Sequence, residues 1–168
     1  VGGSDLCNSA LMDWNSRSLK DYQEGIKVLN QAGKHLRGEG IHLHYHNHDF
    51  EFAEVDGGKT GMDLLIDGLD FSVVDLCLDV AWVFRGGQDQ AKYLLKHKDM
   101  VGYLHFKDHD GSNWIELGQG KVDFPGIMKI LPQLKKVRWV MIEQDDTKID
   151  PMDSATISRK YLKEKFNY

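Results

Sequence analysis

Residues Ile41–Phe52 read IHLHYHNHDFEF, with His42, His44, His46 and His48 at every second position and Asp49 and Glu51 closing the run. A β-strand sends alternate side chains to one face. The spacing therefore predicts a strand across this stretch with four imidazoles along one side and carboxylates where it ends. Histidine is the commonest side-chain metal ligand and titrates near neutral pH. The row is a candidate site, and what else converges on it decides the reading.

Upstream, Leu19, Tyr22, Ile26, Leu29, Ala32 and Leu36 recur at helical spacing behind a capping Ser18. They predict a long helix over Leu19–Arg37, ended by Gly38 and Gly40. Asp5–Arg17 reads as a polar stretch, and Val1–Ser4 as the tail of a preceding element. Downstream, Asp56-Gly57-Gly58 is a turn and Gly61–Leu69 a short amphipathic helix. Ser72–Val80 (SVVDLCLDV) is a buried strand closing on Asp79, and Gln88–Lys98 a helix. Met100–Lys107 (MVGYLHFK) is a strand carrying His105 and Lys107, followed by a polar loop over Asp108–Val122. Phe124–Lys135 is a helix, Arg138–Gln144 (RWVMIEQ) a strand ending on Glu143, and Asp153–Phe166 the last helix. Strands alternating with helices imply an α/β fold with parallel strands joined by crossovers.

Each of these strands carries polar residues near its C-terminal end: His46 and His48, Asp79, His105 and Lys107, Glu143 and Asp145. In a parallel sheet those ends share one edge, where ligands bind; in a barrel they ring the mouth. Histidines and carboxylates brought together there form a mixed N/O site for one divalent ion such as Mn, Co, Zn or Mg.

Composition narrows the classes. The 168 residues suffice for one domain with a real core, and the net charge of −5 opposes nucleic-acid binding. No apolar run approaches the roughly 20 residues that span a bilayer. Cys7 and Cys77 form no spaced pair, so neither a disulfide framework nor a cysteine zinc site is indicated. A reduced, cytoplasmic setting is the expectation, with a removed leader left open.

The segments YHNHDFEF (Tyr45–Phe52), LDVAW (Leu78–Trp82), HFKD (His105–Asp108), ELGQGKVDF (Glu116–Phe124) and IEQD (Ile142–Asp145) together resemble the xylose isomerase-like TIM barrel superfamily. The likeness is to its sugar phosphate isomerases/epimerases, with inosose dehydratases as relatives. It implies a (β/α)8 barrel with one divalent ion held by strands five to eight. Matched motif by motif, Asp79, His105 and Glu143 are ligands. The first ligand, a glutamate in many members, falls on His46, with His48 or Glu51 as alternatives. The four strands read above correspond to the C-terminal half, about strands 5–8, of such a barrel, one domain over residues 1–168. A half-barrel leaves open edges and exposed apolar surface, which implies a homo-oligomer or a missing N-terminal half-barrel.

Other readings stand beside these. His42 and His44 lie deeper in the strand and suit packing or support of the ligands. Lys107, two residues after His105, points at substrate; Trp82 is either core or a sugar-stacking face, and Phe84 core. Gly118–Gly120 has no nucleotide-loop context; Glu116, Gln119 and Lys121 make a flexible rim, and Lys160–Lys165 a solvated helix face. The resulting expectation is a metal-dependent isomerase or epimerase of a keto-sugar or keto-polyol. Glu143 or His48 would move the proton beside the carbonyl, and His48, Trp82, Lys107 and Asp145 would hold the substrate. An inosose dehydratase-like lyase is the first alternative and a catalytically inactive sugar-binding relative the second. An endonuclease IV-like phosphodiesterase would need more metal ligands and a basic groove.

Overall fold

The computed structural model describes residues 2–11, 15 and 17–168. Its frame is one sheet of five strands, β1 (Asp5–Asn8), β2 (His42–His46), β3 (Val74–Asp79), β4 (Val101–Phe106) and β5 (Trp139–Ile142). All four pairings are parallel, and the strands neighbour one another in chain order. Helices carry each crossover: α1 (Leu19–Gly38), α2 (Gly61–Gly68), α3 (Val80–Arg85), α4 (Gln90–Lys96) and α5 (Phe124–Ile130), with α6 (Pro151–Phe166) closing the described chain. This is a half-barrel of the TIM type. No helix among the described residues is long and apolar enough to cross a membrane.

Local chemistry explains the helix starts. Each of the six described helices begins on a Ser, Thr or Asp whose side chain accepts a first-turn N–H: Ser18, Thr60, Asp79, Asp89, Asp123 and Asp150. At Ser18 the cap is reciprocal, since the Asp21 carboxylate accepts the Ser18 N–H at 2.8 Å. Helix α1 comes so close to the sheet that a Cβ on Gly33 would stand 2.8 Å from the Val73 carbonyl oxygen. Glycine is required there for the close approach.

Strand alternation divides the layers. Leu43, Tyr45, Val74, Leu76, Leu78, Leu104 and Phe106 are buried in the apolar core shared with the helices. The other face carries Asp5 and Cys7, then His44 and His46, then Cys77 and Asp79, then His105, with Cys7 in register with His44, His46 with Cys77 and Asp79 with His105. At the edges Leu6, Trp139 and Met141 remain about half exposed, at 48%, 55% and 49%.

The expectations from sequence need four corrections here. Among the described residues the parallel sheet has five strands where four were read, because Asp5–Asn8 is a strand and not polar loop, and two short antiparallel hairpins stand apart from it. Four residues give too short an alternation to register against Asn8 and Asp5. The strand therefore begins after Val1–Ser4, of which Val1 lies outside the described residues, as do positions 12–14 and 16 within the polar stretch. The histidine strand stops at His46, and Phe50–Phe52 is a turn of 3-10 helix. Finally, strand β3 passes straight into α3, which the apolar run VAWVF concealed.

Candidate metal centre

Strand register brings four of the expected residues to one point. Asp79 pairs with His105 across β3 and β4, and His46 pairs with Cys77, two residues before Asp79. Glu143 follows β5, its N–H donating to the Phe106 carbonyl at 3.0 Å. One ligand atom each from His46, Asp79, His105 and Glu143 lies within 4.8 Å of all the others. His46 Nε2 stands 3.5 Å from both Asp79 Oδ2 and Glu143 Oε2, and His105 Nδ1 is 2.5 Å from Glu143 Oε2.

The two oxygens of Asp79 are differently engaged. Oδ1 caps α3, accepting the N–H groups of Ala81 at 2.9 Å and Trp82 at 3.1 Å. Oδ2 is buried with no hydrogen-bond partner, as is His46 Nε2 facing it, and the Lys107 ammonium stands off at 3.5 Å. A buried carboxylate oxygen without a partner is costly unless a cation meets it. Two imidazoles and two carboxylates form a donor set suited to a divalent ion of the Mn, Co, Zn or Mg kind. The residues present fit such an ion.

Electrostatics agree with that inventory. Burial opposes the His46 imidazolium, but the facing carboxylates of Asp79 and Glu143 outweigh it and raise its pKa. His105 is likewise held against burial by Cys7 and Glu143, up to about 9. Glu143 is driven well below the usual carboxylate range, its burial overcome by His105, His46 and Lys107. Burial raises Asp79 despite His46 and Lys107. The carboxylates thus favour positive charge on the imidazoles between them.

Lys107 is fully buried, with Nζ 2.8 Å from Asp145 Oδ1 and 3.5 Å from both Asp79 Oδ2 and Glu143 Oε1. It also lies 5.3 Å from the Trp82 ring centroid and 4.6 Å from that of Trp114. Lys107, expected to point at substrate, stands among the carboxylates of the cluster. His48 sits past the strand end, edge-on to His46 at 4.9 Å and to Trp82 at 5.2 Å and stacked on Phe50. Burial, then the positive charges of His46 and Lys107, lower its pKa to about 4. His48, His46, His105, Glu143 and Asp145 line a cavity of roughly 330 Å³ together with Cys7 and Ser9.

Several residues fall elsewhere. Glu51 accepts from Tyr45 Oη and from the His48 N–H, both at 2.7 Å, so of the three first-ligand candidates His46 alone joins the group. His44 bonds Asp5 at 2.9 Å, and His42 meets Arg37 and Arg138, as suits supporting positions. Glu116 is no flexible rim: it is buried and accepts from Thr147 Oγ1 at 2.9 Å. The glycines beside it serve Asp108, whose carboxylate accepts the N–H groups of His109, Gly118, Gly120 and Val122. Trp114, Asp108 and Cys7 were missed as neighbours of the site. Their loop or short-strand settings carry no periodicity to flag them.

A family model described as xylose isomerase-like TIM barrel matches residues 2–165. The chain belongs to the xylose isomerase-like TIM barrel family. Within it, the inosose dehydratase of Clostridium perfringens is 28% identical over 174 aligned positions, covering 91% of this chain and 57% of that protein. A sugar phosphate isomerase/epimerase from Parabacteroides distasonis superposes with a TM-score of 0.83 at 24% identity, over 95% of this chain and 59% of the other. D-allulose 3-epimerase from Methylomonas sp., solved with D-allulose, gives 0.72 at 20% identity, over 98% and 64%. The family relatives are thus carbohydrate-modifying enzymes, and this chain spans a little over half the length of the curated ones it matches. At these identities the structural likenesses establish the fold.

Proposed function

We propose that this chain carries the metal-binding half of an enzyme that moves a proton next to the carbonyl of a keto-sugar or keto-polyol, an isomerase or epimerase of carbohydrates. The observation that carries the reading is the meeting of His46, Asp79, His105 and Glu143, from the ends of four neighbouring strands, within 4.8 Å. Those four side chains would hold one divalent cation, which when bound supplies Lewis-acid polarisation of a carbonyl and its neighbouring hydroxyl.

The chain's own groups divide the remaining work. Glu143 is ionised, and His48 is neutral at pH 7 because its pKa lies at about 4. Both can therefore accept a proton at the carbon beside the carbonyl. Lys107 holds Asp145 and Glu143 in place through its buried ammonium. Trp82, 5.2 Å from the His48 ring, offers an apolar face to the sugar, and Asp145 borders the cavity as an acceptor for its hydroxyls.

Water elimination is the second reading. It is favoured by His46 standing where epimerases of the family resemblance carry a glutamate, and by the 28% identity to an inosose dehydratase. With His46 at the first ligand position, the two-glutamate relay that the resemblance implies for epimerases lacks one of its carboxylates. Protonating a departing hydroxyl in place of the second carbon turns the same site into a lyase.

The exposed Leu6, Trp139 and Met141 support the further reading that additional strands complete the working barrel, from a second copy or a preceding half-barrel. Size-exclusion chromatography of the chain tests this, and a monodisperse monomer would count against it.

Metal analysis of the purified chain, followed by Mn2+ titration, tests the reading directly. One equivalent bound, and lost on Asp79→Asn, is expected; no binding sinks it. Deuterium uptake from solvent into keto-sugars then separates isomerisation from elimination, which instead yields an ultraviolet-absorbing enone.

A further inference from the structure

The layer under the carboxylate-rich group holds a second cluster, whose two cysteines the proposed function leaves unused and whose histidine it shares. Cys7 lies on β1 in register with His44, and Cys77 on β3 in register with His46 and Tyr103. Their sulfurs and one nitrogen of His105 all lie within 4.8 Å of one another. Both thiols are free; Cys77 is fully buried, and Cys7 opens onto the same cavity as His46 and Glu143.

A disulfide does not suit this arrangement. Strand β2 runs between the two cysteines, which sets their backbones roughly 9 Å apart at the usual strand spacing. A disulfide needs Cα atoms within about 7 Å. The sulfurs approach only because both side chains point into the concave face. A bridging ion has no such limit, since donors around a tetrahedral zinc ion stand about 3.8 Å apart.

We propose that Cys7, Cys77 and His105 form a second, thiolate-rich cation site beneath the first, taking a thiophilic divalent ion of the zinc–cadmium class. Two sulfurs and an imidazole select soft ions over Mg or Mn. Binding releases the two thiol protons to solvent and needs no oxidant. Cys7 and His105 line the cavity, which offers the route of entry. His105 belongs to both groups. A neutral imidazole has one lone pair, its other nitrogen carrying a proton. The lower ion therefore takes His105 from the upper site and leaves its N–H donating to Glu143, in the manner of a metal-bound histidine supported by a carboxylate. A thiophilic ion would act as an inhibitor from below.

The site stands independently of the proposed function, and its test reads sulfur and not activity. The full chain, reduced and freed of metal, is titrated with Cd2+ while the ultraviolet sulfur-to-cadmium charge-transfer band is followed. The expected result is a band saturating at one equivalent, lost in Cys7→Ser and in Cys77→Ser and retained in Asp79→Asn. Absence of the band in the unaltered chain, its survival in both cysteine variants, or its loss in Asp79→Asn overturns the proposal. Should Cys77→Ser fail to fold, cadmium NMR of the unaltered chain decides. A shift in the range of two sulfur donors supports the site, and one in the oxygen-donor range overturns it.

Discussion

Asp79 Oδ2 and His46 Nε2 face each other at 3.5 Å across β2 and β3, both buried and neither with a hydrogen-bond partner. The separation exceeds a good hydrogen bond. It leaves the two atoms open to a common third partner, while Asp79 Oδ1 is committed to the start of α3. One side chain thus serves both the fold and the site.

The two duties separate by substitution. Asparagine caps helices about as well as aspartate, whereas alanine in that place costs about 1 kcal/mol. Asp79→Asn should keep the fold and lose Mn2+ binding; Asp79→Ala should lose binding and about 1 kcal/mol more stability. Isothermal titration with Mn2+ and urea denaturation check the pair.

A bound ion should stabilise the folded chain in proportion to its affinity. At a free concentration near 100 times its dissociation constant, the gain is about 2.7 kcal/mol. The expected outcome is a rise in thermal midpoint with Mn2+, abolished by a chelator and absent in Asp79→Asn, read by scanning calorimetry.

His48 borders the cavity without joining the four-residue group. His48→Gln should therefore leave Mn2+ affinity within a few-fold of the parent. As a lost acid–base group it should slow proton transfer by about 10²–10⁴-fold. Deuterium uptake into the keto-sugar that the protein turns over measures the effect, and an unchanged rate would remove His48 from the chemistry.

Asp5 ties the sheet's two edges together: its carboxylate meets His44 at 2.9 Å, Arg138 at 3.1 Å and the Trp139 indole N–H at 3.1 Å. Although burial opposes ionisation, these partners bring its pKa down from 3.8 to about 2. A carboxylate depressed on folding contributes stability that is complete above its unfolded value and is lost as pH falls through the folded one. The parent should lose that contribution between pH 3.8 and about 2, and Asp5→Asn should lack this part of the acid transition. Urea midpoints across that range are the measurement.

The loop from Asp108 to Val122 hangs on one carboxylate accepting four backbone N–H groups. Asparagine presents one oxygen fewer and adds donors toward donors. Asp108→Asn should cost about 2–4 kcal/mol, on the scale of charged hydrogen bonds. Hydrogen exchange should quicken first at Gly118, Gly120 and Val122.

Much of the site was legible along the chain because strands end where ligands gather. His46, Asp79, His105 and Glu143 each stand at or just past a strand's C-terminal end, and parallel pairing brings those ends together whatever the intervening helices contain. Elements with a long periodic pattern, such as α1 with its Ser18 cap, were equally plain. The short strand at Asp5–Asn8 was not, since four half-exposed residues carry too little alternation to stand out from loop.

By itself, then, the sequence determined the alternation of strand and helix, the polar strand ends and the four candidate ligands, all of which are local patterns repeated at regular spacing. Tertiary structure alone decided which atoms meet. It turned Glu51 away toward Tyr45, closed Lys107 in among Asp79, Glu143 and Asp145, and set Cys7 beside Cys77 from opposite sides of an intervening strand. Those outcomes depend on sheet curvature, which converges side chains from non-adjacent strands, and curvature leaves no periodic trace in a chain.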